Sequence, residues 1–136
     1  MPESRWYAVV VLDAKPLAYV VDDEENICKT LALILNQQGY EAIAFTQPLE
    51  ALRAASDRYP DVLVTDVSMP SLNGIELGIR FQELYPRCKV LLFSGAISTG
   101  PLLEGAGQRG FNFTILAKPV HPDDLLQTLE NMRRGK

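Results

Sequence analysis

The chain has one histidine, His121, and two cysteines, Cys28 and Cys88, in 136 residues. That is too few imidazoles and thiols for a four-ligand zinc site. Neither cysteine stands in C-x-x-C spacing. Two isolated thiols in an acidic chain read as reduced, buried, small apolar residues of a cytosolic protein. A basic excess is also lacking: thirteen Lys and Arg face seventeen Asp and Glu, a formal net charge of −4. DNA or RNA is therefore not an expected direct partner. No apolar run approaches the roughly 20 residues of a membrane span. The run at 9–12 is too short for a signal-peptide core, and only one basic residue precedes it, with Glu3 alongside. A soluble, cytoplasmic protein without membrane contact is expected. There is no G-x-x-x-x-G-K-[ST] loop to hold a hydrolysable nucleotide. A Ser/His/Asp triad is equally absent, since the one histidine lies past the strand-end lysine described below. What is there is an ordinary globular mix, 47% apolar and 22% charged, at the length of one domain that folds without disulfides.

Short apolar runs alternate with amphipathic segments, and no repeat or low-complexity tract interrupts them. Strands are predicted at 17–21, 41–45, 61–65, 89–93 and 113–117. Helices are predicted at 24–38, with Ile27, Leu31, Ile34 and Leu35 at helical spacing and Gly39 as the stop, and between Pro48 and Pro60, with Leu49, Leu52 and Ala55 inward. Two more are predicted at 71–84 and 123–133, the last with Leu125, Leu126, Leu129 and Met132 apolar. The segment 95–110 should supply a fourth helix, yet it holds five glycines and Pro101. Each interior glycine costs about 1 kcal/mol relative to alanine, so a short or mobile helix is expected there. Near-continuous apolar strands alternating with helices argue for an α/β fold, a single doubly wound parallel sheet with helices on both faces. Residues 1–16 precede this pattern and are expected to form an extension, with 17–134 as the folded domain.

The informative fact is where polar residues fall. In a doubly wound sheet, sites form beyond the carboxyl ends of the strands. The first strand runs into Asp22 and Asp23, the third into Asp66, the fourth into Ser94 and the fifth into Lys118. Three carboxylates held together repel, so either a proton or a cation must neutralise them. Hard oxygen ligands without imidazole or thiolate suit Mg²⁺. A nearby lysine and hydroxyl complete a cradle for a phosphoryl group.

The pieces V-V-D-D-E-E at 20–25, V-T-D-V-S-M-P-S-L-N-G at 64–74, F-S-G at 93–95 and A-K-P at 117–119 occur in order, each at a strand end. Over residues 17–134 the sequence resembles a receiver domain of the two-component response regulators. The resemblance implies the chemotaxis-regulator, flavodoxin-like fold, with strand order 2-1-3-4-5. It implies that Asp66 accepts a phosphoryl group from a phosphohistidine of a sensor histidine kinase or phosphotransfer protein. Asp23 and Asp66 would ligate Mg²⁺ directly, Asp22 through a metal-bound water, and Ser68 through its backbone carbonyl. Lys118 would pair with the phosphoryl oxygens, and Ser94 would hydrogen-bond them in the active state. Pro70 and Gly74 would shape the loop, and Lys118–Pro119 would be cis. Such a domain is a phosphoacceptor with self-catalysed transfer and autodephosphorylation, not a conventional enzyme. It switches conformation to signal to a downstream protein, as a monomer or weak homodimer through its fourth helix, fifth strand and fifth helix.

One position departs from the family pattern. The aromatic usual three residues before the lysine is Ile115 here, with Phe111 and Phe113 earlier. The glycine-rich segment changing its order is the alternative switch. Local roles compete at several residues: helix capping for Asp22 and Asp23, for Glu24 and Glu25, and for Ser94, and an exposed turn for His121. Two other functions compete with this one. A phosphatase of the haloacid dehalogenase type would need D-x-D, whereas Asp66 is followed by Val67 and Ser68. A phosphorylation-independent interaction module with the same fold remains the alternative, although such proteins typically lose part of the acidic pair, the acceptor or the lysine. Both a stand-alone regulator and a piece of a longer one fit this chain.

Overall fold

A computed structural model describes residues 15–95 and 99–135. Its elements run β1 (Leu17–Val21), α1 (Glu25–Gln37), β2 (Glu41–Phe45), α2 (Pro48–Ala55), β3 (Val62–Asp66), α3 (Gly74–Leu84), β4 (Lys89–Ser94), α4 (Thr99–Gln108), β5 (Thr114–Ala117) and α5 (Pro122–Arg133). The five strands are all parallel, in the order β2-β1-β3-β4-β5. The expected fold class and strand order are both found. The extension expected over 1–16 lies outside the described residues, save Lys15 and Pro16.

Strand side chains alternate between faces. Leu17, Tyr19, Val21, Leu63, Val90 and Leu92 pack with Ala51 and Ala55 of α2, Ile75 and Ile79 of α3 and Ala106 of α4. Ala18, Val20, Val62, Val64, Leu91 and Phe93 meet Cys28 and Leu35 of α1 and Leu125 and Leu129 of α5. Three helices thus cover one face and two the other. The central strands β1 and β3 are buried throughout. The outer strands are not: β2 is half-buried and β5 largely exposed. Coverage on both faces therefore holds for the middle of the sheet only, because an edge strand has a neighbour on one side.

Two helices correct the sequence reading. Leu49, expected inward, is 52% exposed. The inner stripe of α2 is Pro48, Ala51, Leu52 and Ala55, one step round the helix. The glycines do not shorten α4, whose ten residues exceed the eight of α2. Pro101 stands in its first turn, where backbone N–H groups have no partner within the helix. Ala106 is buried and Leu103 packs on the core. Gly110, at φ +91, then closes the helix. Its N–H donates to Gly107 O at 3.0 Å, and that of Phe111 to Ala106 O at 2.9 Å. That is a Schellman stop, for which a residue free to adopt positive φ is needed.

Candidate functional site

The parallel register carries the predicted residues to one edge of the sheet. Asp66 stands beside Phe93, and Ser94 beside Ala117, which Lys118 follows. The chain is tied there by Val67 N–H to Phe93 O at 2.9 Å and Lys118 N–H to Ser94 O at 3.0 Å. Asp22 leaves β1 with its N–H on Phe45 O at 3.1 Å. Carboxylate oxygens of Asp22, Asp23 and Asp66 all lie within 4.8 Å of one another. Asp22 and Asp66 are buried, and Asp23 is exposed. Lys118 Nζ reaches between the two buried ones, 3.2 Å from Asp66 Oδ1 and 3.6 Å from Asp22 Oδ2.

Asp22 divides its two oxygens. Oδ1 accepts the N–H of Glu24 at 2.9 Å and fixes the turn into α1. Oδ2 is buried without a hydrogen-bond partner. Burial pushes the Asp22 carboxyl above the usual carboxylate range, against the pull of the Glu24 amide and Lys118 and with the neighbouring aspartates adding to it. Burial alone would lower the Lys118 ammonium, but Asp22 and Asp66 outweigh it and hold the group above its ordinary value. One cation thus serves two buried carboxylates, with a third beside them. A buried oxygen that makes no hydrogen bond, in a cluster of hard oxygen donors, fits a small divalent cation such as Mg²⁺.

The loop after Asp66 is shaped by a close approach. A Cβ on Gly74 would sit 2.0 Å from the Asp66 carbonyl oxygen. Only glycine lets α3 begin there, with Gly74 N–H on Val67 O at 2.8 Å and the Asn73 side chain accepting Glu76 N–H at 2.9 Å. Ser68 and Pro70 are exposed in this loop. The Lys118–Pro119 bond is cis, as expected.

The local roles resolve residue by residue. Glu24 occupies the N-cap of α1 without a side-chain cap bond, and Glu25 pairs with Lys29. Ser94 ends β4 and is half-buried, and residues 96–98, between it and α4, lie outside the described residues. His121 is exposed and caps α5, its Nδ1 accepting Asp123 N–H at 3.0 Å. Ile115 is 36% exposed on β5. Phe113 packs instead against the α3 side of the sheet, where a Cβ on Gly78 would meet its ring at 3.2 Å. The sequence reading missed an apolar cleft of about 410 Å³ beside Lys118, lined by Ile27, Leu31, Phe93, Pro119 and Val120. Ile27 and Leu31 had the spacing of core residues but are only half-buried, the signature of a face that the core does not use up.

Comparison with known proteins agrees with this geometry. Residues 18–130 match the model of the response regulator receiver domain. The transcriptional regulatory protein GlrR of Escherichia coli is 30% identical over 112 residues, covering 82% of this chain and 25% of that protein. The response regulator receiver protein CpdR of Brucella abortus is 26% identical, covering 83% of this chain and 92% of that protein. The crystal structure of Vibrio cholerae chemotaxis protein CheY4 superposes with a TM-score of 0.75 at 30% identity, covering 87% of this chain and 98% of that one. The chain spans only a quarter of the length of GlrR. With its sheet order, its strand-end aspartates and lysine, and a family match over most of its length, the chain belongs to the response regulator receiver domains of two-component signalling.

Proposed function

We propose that this domain, over residues 17–134, accepts a phosphoryl group on Asp66 with Mg²⁺ and switches conformation in a phosphorelay. The observation that carries the reading is the buried pair Asp22 and Asp66 sharing Lys118, with the Oδ2 of Asp22 held only by the 3.6 Å ion pair and by no hydrogen bond among the described residues. Asp22, Asp23, Asp66 and the Ser68 carbonyl would hold the metal, which neutralises charge on the transferred group when bound. An Asp66 carboxylate oxygen attacks phosphorus of a phosphohistidine. The O–P bond forms, the N–P bond breaks, and the electron pair returns to the imidazole nitrogen. Lys118 holds the equatorial oxygens in line, and Ser94 donates its hydroxyl to one of them. The product adds about two negative charges, enough to draw hydroxyl and ammonium inward. The apolar cleft beside Lys118 adjoins the acceptor, so it offers a seat to the helix that carries the donor histidine of a sensor kinase or phosphotransfer protein.

The test is intact mass after incubation with Mg²⁺ and acetyl phosphate, beside Asp66→Asn and a metal-free control. A gain of one phosphoryl group, lost in both controls, supports the reading. No gain with Mg²⁺ binding intact calls for the same assay with a phosphorylated histidine donor, and failure there too rejects Asp66 as acceptor. A protein that neither gains mass nor binds metal is a phosphorylation-independent interaction module.

A further inference from the structure

We propose that the opposite edge of the sheet, at the amino ends of the strands, binds a small anion bearing two or more phosphates. A cavity of about 430 Å³ opens there, lined by Lys15, Pro16, Asp61, Arg87, Lys89 and Arg133. Four cations face one carboxylate, in a chain whose formal net charge is −4. They come from distant parts of the sequence: the lead into β1, the turn before β4, the first residue of β4 and the last of α5. Because α5 runs back against the strands, its carboxyl end arrives at their amino edge.

The floor of this cavity is tied together by backbone hydrogen bonds. Asp61 N–H donates to Leu17 O at 2.8 Å, and Lys89 N–H to Asp61 O at 2.9 Å. The Asp61 carboxylate turns inward and accepts Leu17 N–H at 2.7 Å through Oδ2. One oxygen of that carboxylate thus joins strand starts, and its single charge leaves the cations lining the cavity in excess by three. Among the described residues, Lys15, Arg87 and Lys89 have no carboxylate within ion-pair reach, as is also true of Arg53 and Arg80 elsewhere, whereas Lys29, Arg58, Arg109, Lys118 and Arg134 have one or more. Arg133 leans on Glu130 at 3.4 Å, with its guanidinium 5.7 Å from the centre of the Tyr40 ring. Unpaired like charges gathered on a fixed frame repel, and a multivalent anion removes that repulsion. Two of the four are arginines, whose planar forks match phosphate oxygens. The volume suits a small molecule, since ligand cavities run from about 300 to 1,000 Å³.

The test uses the full chain, ¹⁵N-labelled, in Mg²⁺-free buffer at constant ionic strength, titrated with sodium pyrophosphate and separately with orthophosphate. The expected result is saturable amide shifts at Lys15, Asp61, Lys89 and Arg133, with pyrophosphate binding more tightly than orthophosphate. Arg87→Gln/Lys89→Gln should weaken pyrophosphate binding by about tenfold, the effect of removing two charge-assisted contacts. Lys118→Ala should leave it unchanged. Should the double variant not fold, Lys15→Gln answers the same question with a smaller loss. Shifts confined to Asp66 and Lys118, unsaturable binding, or undiminished affinity in the double variant overturns the proposal. So does tighter binding of a single-stranded DNA oligomer of equal charge, which makes the edge a nucleic-acid surface.

Discussion

Gly74 shows how a residue with no side chain carries a site. The Asp66 carbonyl stands where its Cβ would be, at 2.0 Å, and backbone has no rotamer by which to yield. Gly74→Ala must therefore push α3 away from β3 or rotate the Asp66 peptide. Overpacking costs typically 1–3 kcal/mol, and with a backbone obstacle a loss of about 3 kcal/mol is expected in urea unfolding, together with loss of acetyl phosphate labelling. Cys88 is a residue-scale case of the opposite kind, a group kept silent by its surroundings. Burial, with Asp61 adding, pushes its thiol up to about 12. Thiolate is the reactive form, so native Cys88 should resist iodoacetamide at pH 8 and react once urea unfolds the chain. The linkage has a definite sign. A thiol whose folded pKa is raised keeps its proton longer in the folded state, so its stabilisation is whole below the unfolded value near 8.5 and drains away between about 8.5 and 12. Burial shifts Cys28 and Tyr19 the same way. The urea midpoint should fall steadily above about pH 8.5; a flat profile up to pH 11 contradicts this.

At the scale of elements, the sequence told most where one force dominates. The apolar runs of β1 and β3 are buried on both faces, and their bounds follow within a residue of the pattern. Asp22, Asp23, Asp66, Ser94 and Lys118 were readable because each ends or follows a strand, and parallel strands end on one edge. Leu49 was misplaced because α2 has too few turns for a unique apolar stripe, and its inner face is built from small alanines instead. The apolar cleft was missed because half-burial leaves the same spacing as full burial. The basic edge was missed because its cations are far apart in sequence and belong to no motif. For α4, glycine content pointed to a short or mobile helix, whereas tertiary packing and a Schellman stop secure ten residues of it. Gly105 is the clearest surplus, since a Cβ there meets nothing within 4 Å. Gly105→Ala should stabilise the protein by about 0.5–1 kcal/mol through a less flexible unfolded chain. If order in this helix is part of the switch, the same variant should also slow amide exchange across 99–108 before phosphorylation.

The whole molecule is polarised along its strands. Three aspartates gather at the carboxyl edge and four basic side chains line a cavity at the amino edge, with the buried core between them. Such an arrangement is costly at the acidic end, where a buried oxygen of Asp22 makes no hydrogen bond and only a 3.6 Å ion pair with Lys118. The cost sets stability against function. Asp22→Asn removes the buried charge while its amide oxygen can still accept Glu24 N–H. It should raise the unfolding free energy of the metal-free protein, measured in urea, by about 1 kcal/mol, the scale of an unsatisfied buried polar group. Mg²⁺ should reverse the ranking. A ligand that binds only the folded state stabilises it by RT ln(1 + [L]/Kd), or roughly 2.7 kcal/mol at a hundredfold excess over Kd. The wild-type melting temperature should therefore climb with Mg²⁺ concentration, while that of Asp22→Asn stays nearly flat, so the two melting curves cross. Calorimetric scans of both proteins across a Mg²⁺ series decide it. Parallel curves that never cross mean that the orphaned oxygen of Asp22 serves packing at the turn into α1, and that the metal, if bound, is held by Asp23 and Asp66 without it.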